Sequence, residues 1–152
     1  MVLPWAAQRL INDVDQVLTR ASAQRDLLVQ SDYAKYLVIR LSGLLEQAIA
    51  EIVQAHVVAQ ASPTVVSHTT WRMGVFQNPN GERILQLVGS FDRRWRDELN
   101  HELTSEERGA LGSINAQRNL VAHGLDSTVS IAQVAQYFAD VQSLLEKVAA
   151  KF

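Results

Sequence analysis

The feature that most restricts how this chain can fold is a long apolar segment with helical spacing. One stripe advances in steps of three and four residues and is formed by Leu37, Leu41, Leu44, Ala48 and Ile52. A second set covers much of the remaining circumference: Val38, Leu45, Ile49 and Val53. A helix that is apolar nearly all round is packed on more than one side. We therefore expect a helix capped by Ser31 or Asp32 and extending to about Gln60, either at the centre of a bundle or in an oligomer contact.

Two amphipathic segments near the chain ends predict the helices that surround this one. The first is expected from about Pro4 to Val29, and its buried stripe is formed by Leu10, Val14, Val17 and Ala21. The last opens at Ser130, with Gln133 at the capping-box position. Its apolar residues alternate steps of three and four: Ile131, Val134, Phe138, Val141, Leu145 and Val148. This regular face predicts a helix that completes the bundle.

Between residues 61 and 83 the helical pattern lapses, because Pro63 and several β-branched residues are poor helix formers. We expect a long connection here, with a short strand or helical turn around residues 68–76. Asn78 as cap and Pro79 at the first helical position then start a further helix. Its apolar face is formed by Ile84, Leu87, Val88, Phe91 and Trp95.

Together these segments predict an all-α fold, an antiparallel bundle of four to six helices with a long connection after the second helix. We expect one domain, residues 1–152. No segment has the roughly eighteen consecutive apolar residues of a membrane helix, so the expectation is a cytoplasmic protein without a membrane partner. The absence of cysteine excludes disulfides and thiolate metal sites. A net charge of −2 argues against a broad nucleic-acid-coating surface and leaves room for a local site.

A late helix carries the polar residues that point to function. Thr104 has Glu107 three residues on, the spacing of a capping box, and Gly124 is suited to closing the helix in the left-handed conformation. One stripe between these ends is formed by Leu111, Ile114, Arg118 and Val121. A guanidinium therefore stands where a core helix has an aliphatic side chain. A polar edge beside it, with steps of four, is formed by Asn115, Asn119 and His123.

Arg, Asn and His at one end of one helix suit phosphodiester cleavage. That reaction needs a proton acceptor or donor near neutral pH, which His123 supplies, and a positive charge for the anionic transition state, which Arg118 supplies. Asn119 can orient a phosphate, a ribose or the imidazole. A structural alternative stays open, in which the stem of Arg118 covers the core with its head in water and His123 only favours the helix dipole.

The segment Arg118-Asn119-Leu120-Val121-Ala122-His123 resembles the Arg-x(4–6)-His signature, in its Arg-Asn-x-x-x-His form, of the HEPN superfamily of small all-α proteins. It is similar in particular to the toxin- and defence-associated RiboL-PSP-HEPN group. Many HEPN members are metal-independent ribonucleases. The resemblance implies RNA cleavage by attack of the 2′-hydroxyl on its own phosphate. Arg118, Asn119 and His123 would be the catalytic residues, without metal or cofactor.

The resemblance also implies partners. HEPN chains pair so that their motifs face a shared cleft, so we expect a homodimer that offers RNA two copies of His123, one as base and one as acid. Family toxins are often paired with an antitoxin protein, and in some the partner modifies a Tyr two residues after the His. Leu125 holds that position here, which puts this route in doubt. The alternative is a non-catalytic HEPN-like scaffold or a dimerisation or nucleotide-binding module, which does not need the catalytic set.

Other polar residues are candidates for supporting the site. Glu46 lies in an apolar run of the second helix, and a buried carboxylate needs a partner, for which Arg118 is a candidate. Otherwise Glu46 faces water on a narrow polar edge. Asn115 lies on the polar edge one turn before Asn119. His101, shortly before the motif helix, is a second candidate for proton transfer.

Overall fold

The computed structural model describes residues 1–152 and contains seven α-helices and no strand. The helices are α1 (Trp5–Ser22), α2 (Leu27–Gln60), α3 (Pro63–Met73), α4 (Gly81–Phe91), α5 (Arg93–Glu102), α6 (Ser105–Ala122) and α7 (Ile131–Lys151). The all-α prediction is confirmed, with one helix more than the four to six expected. None of the helices is both long enough and apolar enough to cross a membrane.

Helix α2 lies at the centre of the bundle. All residues of its two predicted apolar sets are buried, because α1, α3, α6 and α7 all pack against it. Of the two alternatives for this helix, the centre of a bundle is therefore confirmed. The α2 residues form the middle of one cluster of 33 buried side chains to which every other helix contributes. From α3 only Met73 belongs to it.

The boundary between the first two helices differs from the prediction. Helix α1 ends at Ser22, and α2 begins at Leu27 because Asp26 caps it. The Asp26 carboxylate accepts hydrogen bonds from two backbone N–H groups of the first turn, at 2.9 and 3.2 Å, which satisfies donors that have no partner inside the helix. The predicted caps, Ser31 and Asp32, lie within α2.

Residues 63–73 of the predicted connection between residues 61 and 83 form helix α3, so the expected long connection is wrong. Pro63 occupies the first turn, where its missing N–H costs nothing. Thr70 Oγ1 donates to Gln54 Oε1 of α2 at 2.9 Å, and Met73 is buried in the core. Packing against α2 therefore outweighs the weak helix propensity of the Thr and Val residues.

The start of α4 is also displaced from the prediction. Asn80 is the cap, and its side chain accepts from the Arg83 N–H at 2.9 Å. Asn78, the predicted cap, lies in the preceding turn with a φ of 47°, a left-handed conformation that Asn tolerates better than most residues. Asp92 ends α4 and caps α5, so Trp95 belongs to a separate helix.

Helices α6 and α7 form as the sequence predicts, each with its capping box. Thr104 and Glu107 exchange hydrogen bonds of 2.8 and 3.1 Å at the start of α6, and Ser130 and Gln133 exchange bonds of 2.9 and 3.1 Å at the start of α7. The two helices are antiparallel neighbours, and both pack on α2. The C-terminal end of α6 therefore lies near the start of α7, and the loop between the two helices shares a small cleft with the first turn of α2.

Candidate active site at the end of α6

Helix α6 brings Arg118, Asn119 and His123 together at its C-terminal end. On the predicted stripe, Leu111 and Ile114 are buried, whereas Arg118 is half-buried. The buried part of this stripe therefore ends at Ile114, one turn before Arg118. Asn119 and His123 are exposed, and His123 is the C-cap residue of the helix. The three side chains form an accessible polar group at one end of the bundle.

The way the helix ends fixes the backbone beneath these side chains. The Leu125 N–H donates to the Leu120 carbonyl at 2.8 Å, and the Gly124 N–H donates to the Val121 carbonyl at 3.1 Å. Gly124 has a φ of 67°. This is a Schellman motif, in which a left-handed glycine lets two carbonyls at the helix end find donors. The predicted stop at Gly124 is confirmed.

The Arg118 guanidinium has no ionic partner in the chain. Its one hydrogen bond runs from Nη1 to Oδ1 of Asn119 at 3.4 Å, and none of the salt bridges includes it. The His123 imidazole likewise makes no hydrogen bond with another side chain. A guanidinium has five donors in a fixed planar fork, so Arg118 retains donors for an anion such as phosphate.

The loop that follows His123 is tied back onto α6 beside the motif. Ser127 Oγ donates to Gln117 Oε1 at 2.6 Å and accepts from the Val129 N–H at 3.4 Å. Ser127 and Val129 are buried, and Gln117 directly precedes Arg118. The pair therefore holds the loop against the helix at the candidate site. The sequence does not predict this contact, since no periodic pattern links residues from a helix and a loop.

The two predicted supporting residues contact the turn between α3 and α4. Glu46 Oε1 accepts a hydrogen bond from the Asn78 N–H at 2.7 Å, and Asn115 Nδ2 donates to the Pro79 carbonyl at 3.4 Å. The predicted pairing of Glu46 with Arg118 is therefore wrong, because a backbone N–H satisfies the half-buried carboxylate instead. Asn115 does lie on the motif helix, where it links the turn to α6.

His101 is separated from the motif by the length of α6. It is exposed at the end of α5, close to the first turn of α6, whereas His123 is at the last. The 18 residues of α6 span about 27 Å at the rise of an α-helix. Within one chain, His101 and His123 are therefore too far apart to act on the same phosphate. No group of three or more His, Asp or Glu side chains is placed to hold a metal ion.

A helical bundle with an accessible Arg-Asn-x-x-x-His set at the end of its penultimate helix is the arrangement of the HEPN superfamily, as the sequence resemblance predicted. Comparison with family models matches residues 6–152 to the RiboL-PSP-HEPN family. The chain belongs to this family. Searches of curated proteins and of solved structures found no match. Membership indicates a nuclease or other RNA-related function, since HEPN domains are often ribonucleases.

Proposed function

We propose that this protein is a metal-independent endoribonuclease that serves as the toxin of a toxin–antitoxin or defence system. The observation that supports the proposal is the accessible Arg118, which has no carboxylate partner and lies beside Asn119 and His123. Arg118 is half-buried, so its stem rests against the bundle while most of its N–H donors stay free at the surface. An arginine that keeps its donors free next to an exposed imidazole suits a phosphate ligand.

The proposed reaction uses the nucleophile that RNA carries itself. A base removes the proton of the 2′-hydroxyl, whose oxygen attacks the adjacent phosphorus. The bond to the 5′-oxygen then breaks, and an acid protonates that oxygen as it leaves. The products are a 2′,3′-cyclic phosphate and a 5′-hydroxyl. Arg118 stabilises the charge that builds on the phosphate oxygens, and Asn119 orients the guanidinium through their contact of 3.4 Å.

The base and the acid are two copies of His123 in the proposed mechanism, because each chain brings one motif imidazole. We propose a homodimer in which the two α6 ends face one cleft. Exposed apolar side chains at this end of the bundle support the pairing: Leu125 is 59% exposed, Leu27 78% and Leu28 79%. The loop before α7 shares a small cleft with Leu27. Such apolar residues are typical of a surface that another chain covers.

The proposed antitoxin would act by covering the same end of the bundle. Leu125 has no hydroxyl that a partner enzyme could modify, so control at that position would be by binding alone. An antitoxin bound over Leu125 and His123 would exclude RNA from the motif.

The test is incubation of a labelled RNA with purified protein in excess EDTA, beside His123→Ala and Arg118→Ala. We expect the parent protein to release fragments with cyclic-phosphate ends and each variant to lose at least about a hundredfold in rate, since His123 acts as a general acid or base and Arg118 stabilises the transition-state charge. Matched controls are His101→Ala and Arg93→Ala, which remove the same groups from exposed positions on α5, a helix that does not carry the motif. Both should cut like the parent.

Two results would argue against the proposal. One is that His123→Ala, shown by circular dichroism to be folded, cuts at the parent rate. The other is that the parent leaves a broad set of RNAs intact. The second result would favour the alternative of a non-catalytic HEPN-like scaffold or a dimerisation or nucleotide-binding module.

A further inference from the structure

We propose that the groove between α2 and α3 binds one arginine or lysine side chain of a partner polypeptide. The groove has a volume of about 360 Å³, at the lower end of the range for ligand sites in proteins. It lies away from the motif, and none of Arg118, Asn119 and His123 lines it. Binding in this groove does not depend on the proposed ribonuclease activity and is measured without RNA.

The apolar part of the groove fits the stem of a long basic side chain. Ala50, Met73 and Phe76 supply this surface, and Met73 is only 9% exposed. Lys and Arg characteristically lay their methylene groups along apolar surface while the charged head reaches a polar partner. An inorganic cation would leave this surface unused.

The charged part of the groove selects a cation. Glu46 and Glu51 both line it, and no Lys, Arg or His does. Glu51 makes neither a hydrogen bond nor a salt bridge within the chain, and Glu46 uses only Oε1, for the Asn78 N–H. Two half-buried carboxylates without a cationic partner attract an ammonium or guanidinium more strongly than exposed carboxylates do. They also repel a phosphate, so RNA does not fit here.

The wall of the groove already contacts a guanidinium of this chain. The Arg83 guanidinium lies 5.8 Å from the ring centre of Phe76, and its Nη1 donates to the Gln77 carbonyl at 2.7 Å. A ring face and a carbonyl are common partners of arginine. Arg83 forms no salt bridge with Glu46 or Glu51, so both carboxylates remain available to a cation that enters the groove. A basic side chain of a partner would lie between these two carboxylates.

The groove is joined to the candidate active site by the α3–α4 turn. The Glu46 carboxylate accepts a hydrogen bond from the Asn78 N–H. The carbonyl of the following residue, Pro79, accepts one from the Asn115 side chain on α6. A basic side chain bound at Glu46 would therefore be connected to the motif helix through two hydrogen bonds of this turn. A polypeptide bound here has a contact route to the site that does not require it to cover His123.

The test is a titration of the ¹⁵N-labelled protein with a blocked Gly-Arg-Gly peptide, followed by NMR. We expect saturable shifts in residues 46–54 and 70–78. The same peptide with citrulline, which has the shape of arginine without its charge, should bind at least about tenfold more weakly. Glu51→Gln should weaken binding of the arginine peptide about threefold or more, since one of two carboxylates is lost. The control is Glu106→Gln, an exposed glutamate outside the groove, which should leave the affinity unchanged.

Several outcomes would overturn the inference. Equal binding of the arginine and citrulline peptides would remove the charge argument, as would unchanged affinity in Glu51→Gln. Shifts spread over exposed carboxylates, without saturation, would show non-specific attraction only. If free agmatine binds as tightly as the peptide, the occupant is a small organic cation, and the proposed polypeptide partner is wrong.

Discussion

Glu107 is the one charged residue that is buried, with 3% exposure. Its carboxylate accepts from the Thr104 N–H at 2.8 Å, from Ser143 Oγ at 2.7 Å and from Lys147 Nζ at 2.6 Å. Burial by itself would raise the pKa of this carboxyl, but the hydrogen bonds from Lys147, Thr104 and Ser143 outweigh it. The pKa of Glu107 therefore lies below its ordinary value. The contacts join the start of α6 to the last turns of α7.

We expect Glu107→Gln to lower the free energy of unfolding by about 2 kcal/mol at neutral pH, since it removes charge-assisted bonds and leaves Lys147 without its partner. A carboxyl with a lowered pKa stabilises the fold above its unfolded pKa of about 4.3, and this stability is lost as pH falls through the folded pKa. The difference between the parent protein and the variant should therefore shrink below about pH 4.

Urea unfolding at several pH values measures both effects. Glu106→Gln is the control, since Glu106 is exposed in the same turn, and it should change stability by no more than about 0.5 kcal/mol. A pH-independent difference for Glu107→Gln would contradict the ionic explanation.

Single residues also show what a sequence does not specify. The spacing of Thr104 and Glu107 predicts their capping box, because both partners lie within one helical turn. Lys147 lies 40 residues further on, and only the antiparallel packing of α6 and α7 brings it there. The partner of Glu46 was likewise not predictable from spacing along one helix. The sequence left open whether Glu46 is buried or faces water; it is half-buried, and its partner is the backbone N–H of Asn78, 32 residues further along the chain.

At the scale of helices, a glycine inside α6 and the glycine that follows its C-cap have opposite roles. Gly124 closes the helix with a φ of 67°, whereas Gly112 is inside the helix, and a Cβ added there would meet no atom within 4 Å. Gly124→Ala should destabilise the protein by about 1 kcal/mol, because a Cβ is disfavoured in the left-handed region. Gly112→Ala should stabilise it by about 0.5–1 kcal/mol, since alanine loses less backbone entropy in a helix.

Thermal unfolding distinguishes the two glycine variants by the sign of the change. For a protein of this length, 1 kcal/mol corresponds to a Tm shift of about 2–4 °C. Gly109→Ala is a second interior control, since its added Cβ is also free of contacts. If Gly124→Ala leaves the Tm unchanged, the Schellman motif is not what ends α6 in solution.

The bounds of a helix were predictable from the sequence where the apolar pattern and the cap residue indicate the same start and end. They were not predictable where these two signals conflict. In α6 and α7 both signals coincide, and the predicted bounds hold. Leu27 to Val29 continue the apolar pattern of α1 but are exposed residues of α2, so only the Asp26 cap marks the boundary. Helix α3 has a cap residue and Pro63 at its start but few strong helix formers. Its packing on α2 is a tertiary effect that the sequence pattern does not contain.

For the whole molecule, the sequence predicted where the motif lies on the bundle. It did not predict how far the rest of the chain encloses the motif. The three motif residues share one exposed end of α6, as their spacing indicated. The single chain does not enclose them, and its groove of about 360 Å³ lies elsewhere. A site open to water on one side is a poor environment for stabilising charge in a transition state. The proposed second chain would close it.

The shared cleft makes a prediction about mixtures of chains. If each cleft needs both copies of His123, a dimer of one parent chain and one His123→Ala chain has a single imidazole and is inactive. With about a ninefold excess of the variant and free exchange, about a tenth of the parent chains remain in parent dimers. We therefore expect RNA cleavage to fall to about a tenth, measured after the mixture has exchanged at micromolar concentration.

An excess of His101→Ala is the control for this mixing experiment, because this variant keeps its motif and should not inhibit.

The dimer contact itself has a separate test. The parent protein should have the mass of a dimer by light scattering. Leu125→Asp, which places a charge in the proposed contact, should shift that mass toward the monomer. If the Leu125→Asp change is added to His123→Ala, inhibition of the parent should disappear, because the double variant no longer pairs. Unchanged cleavage in the His123→Ala mixture, with exchange shown by light scattering of tagged chains, would mean that one imidazole is enough. The second proton transfer would then fall to water or to the substrate, and the dimer would serve only to enclose the site.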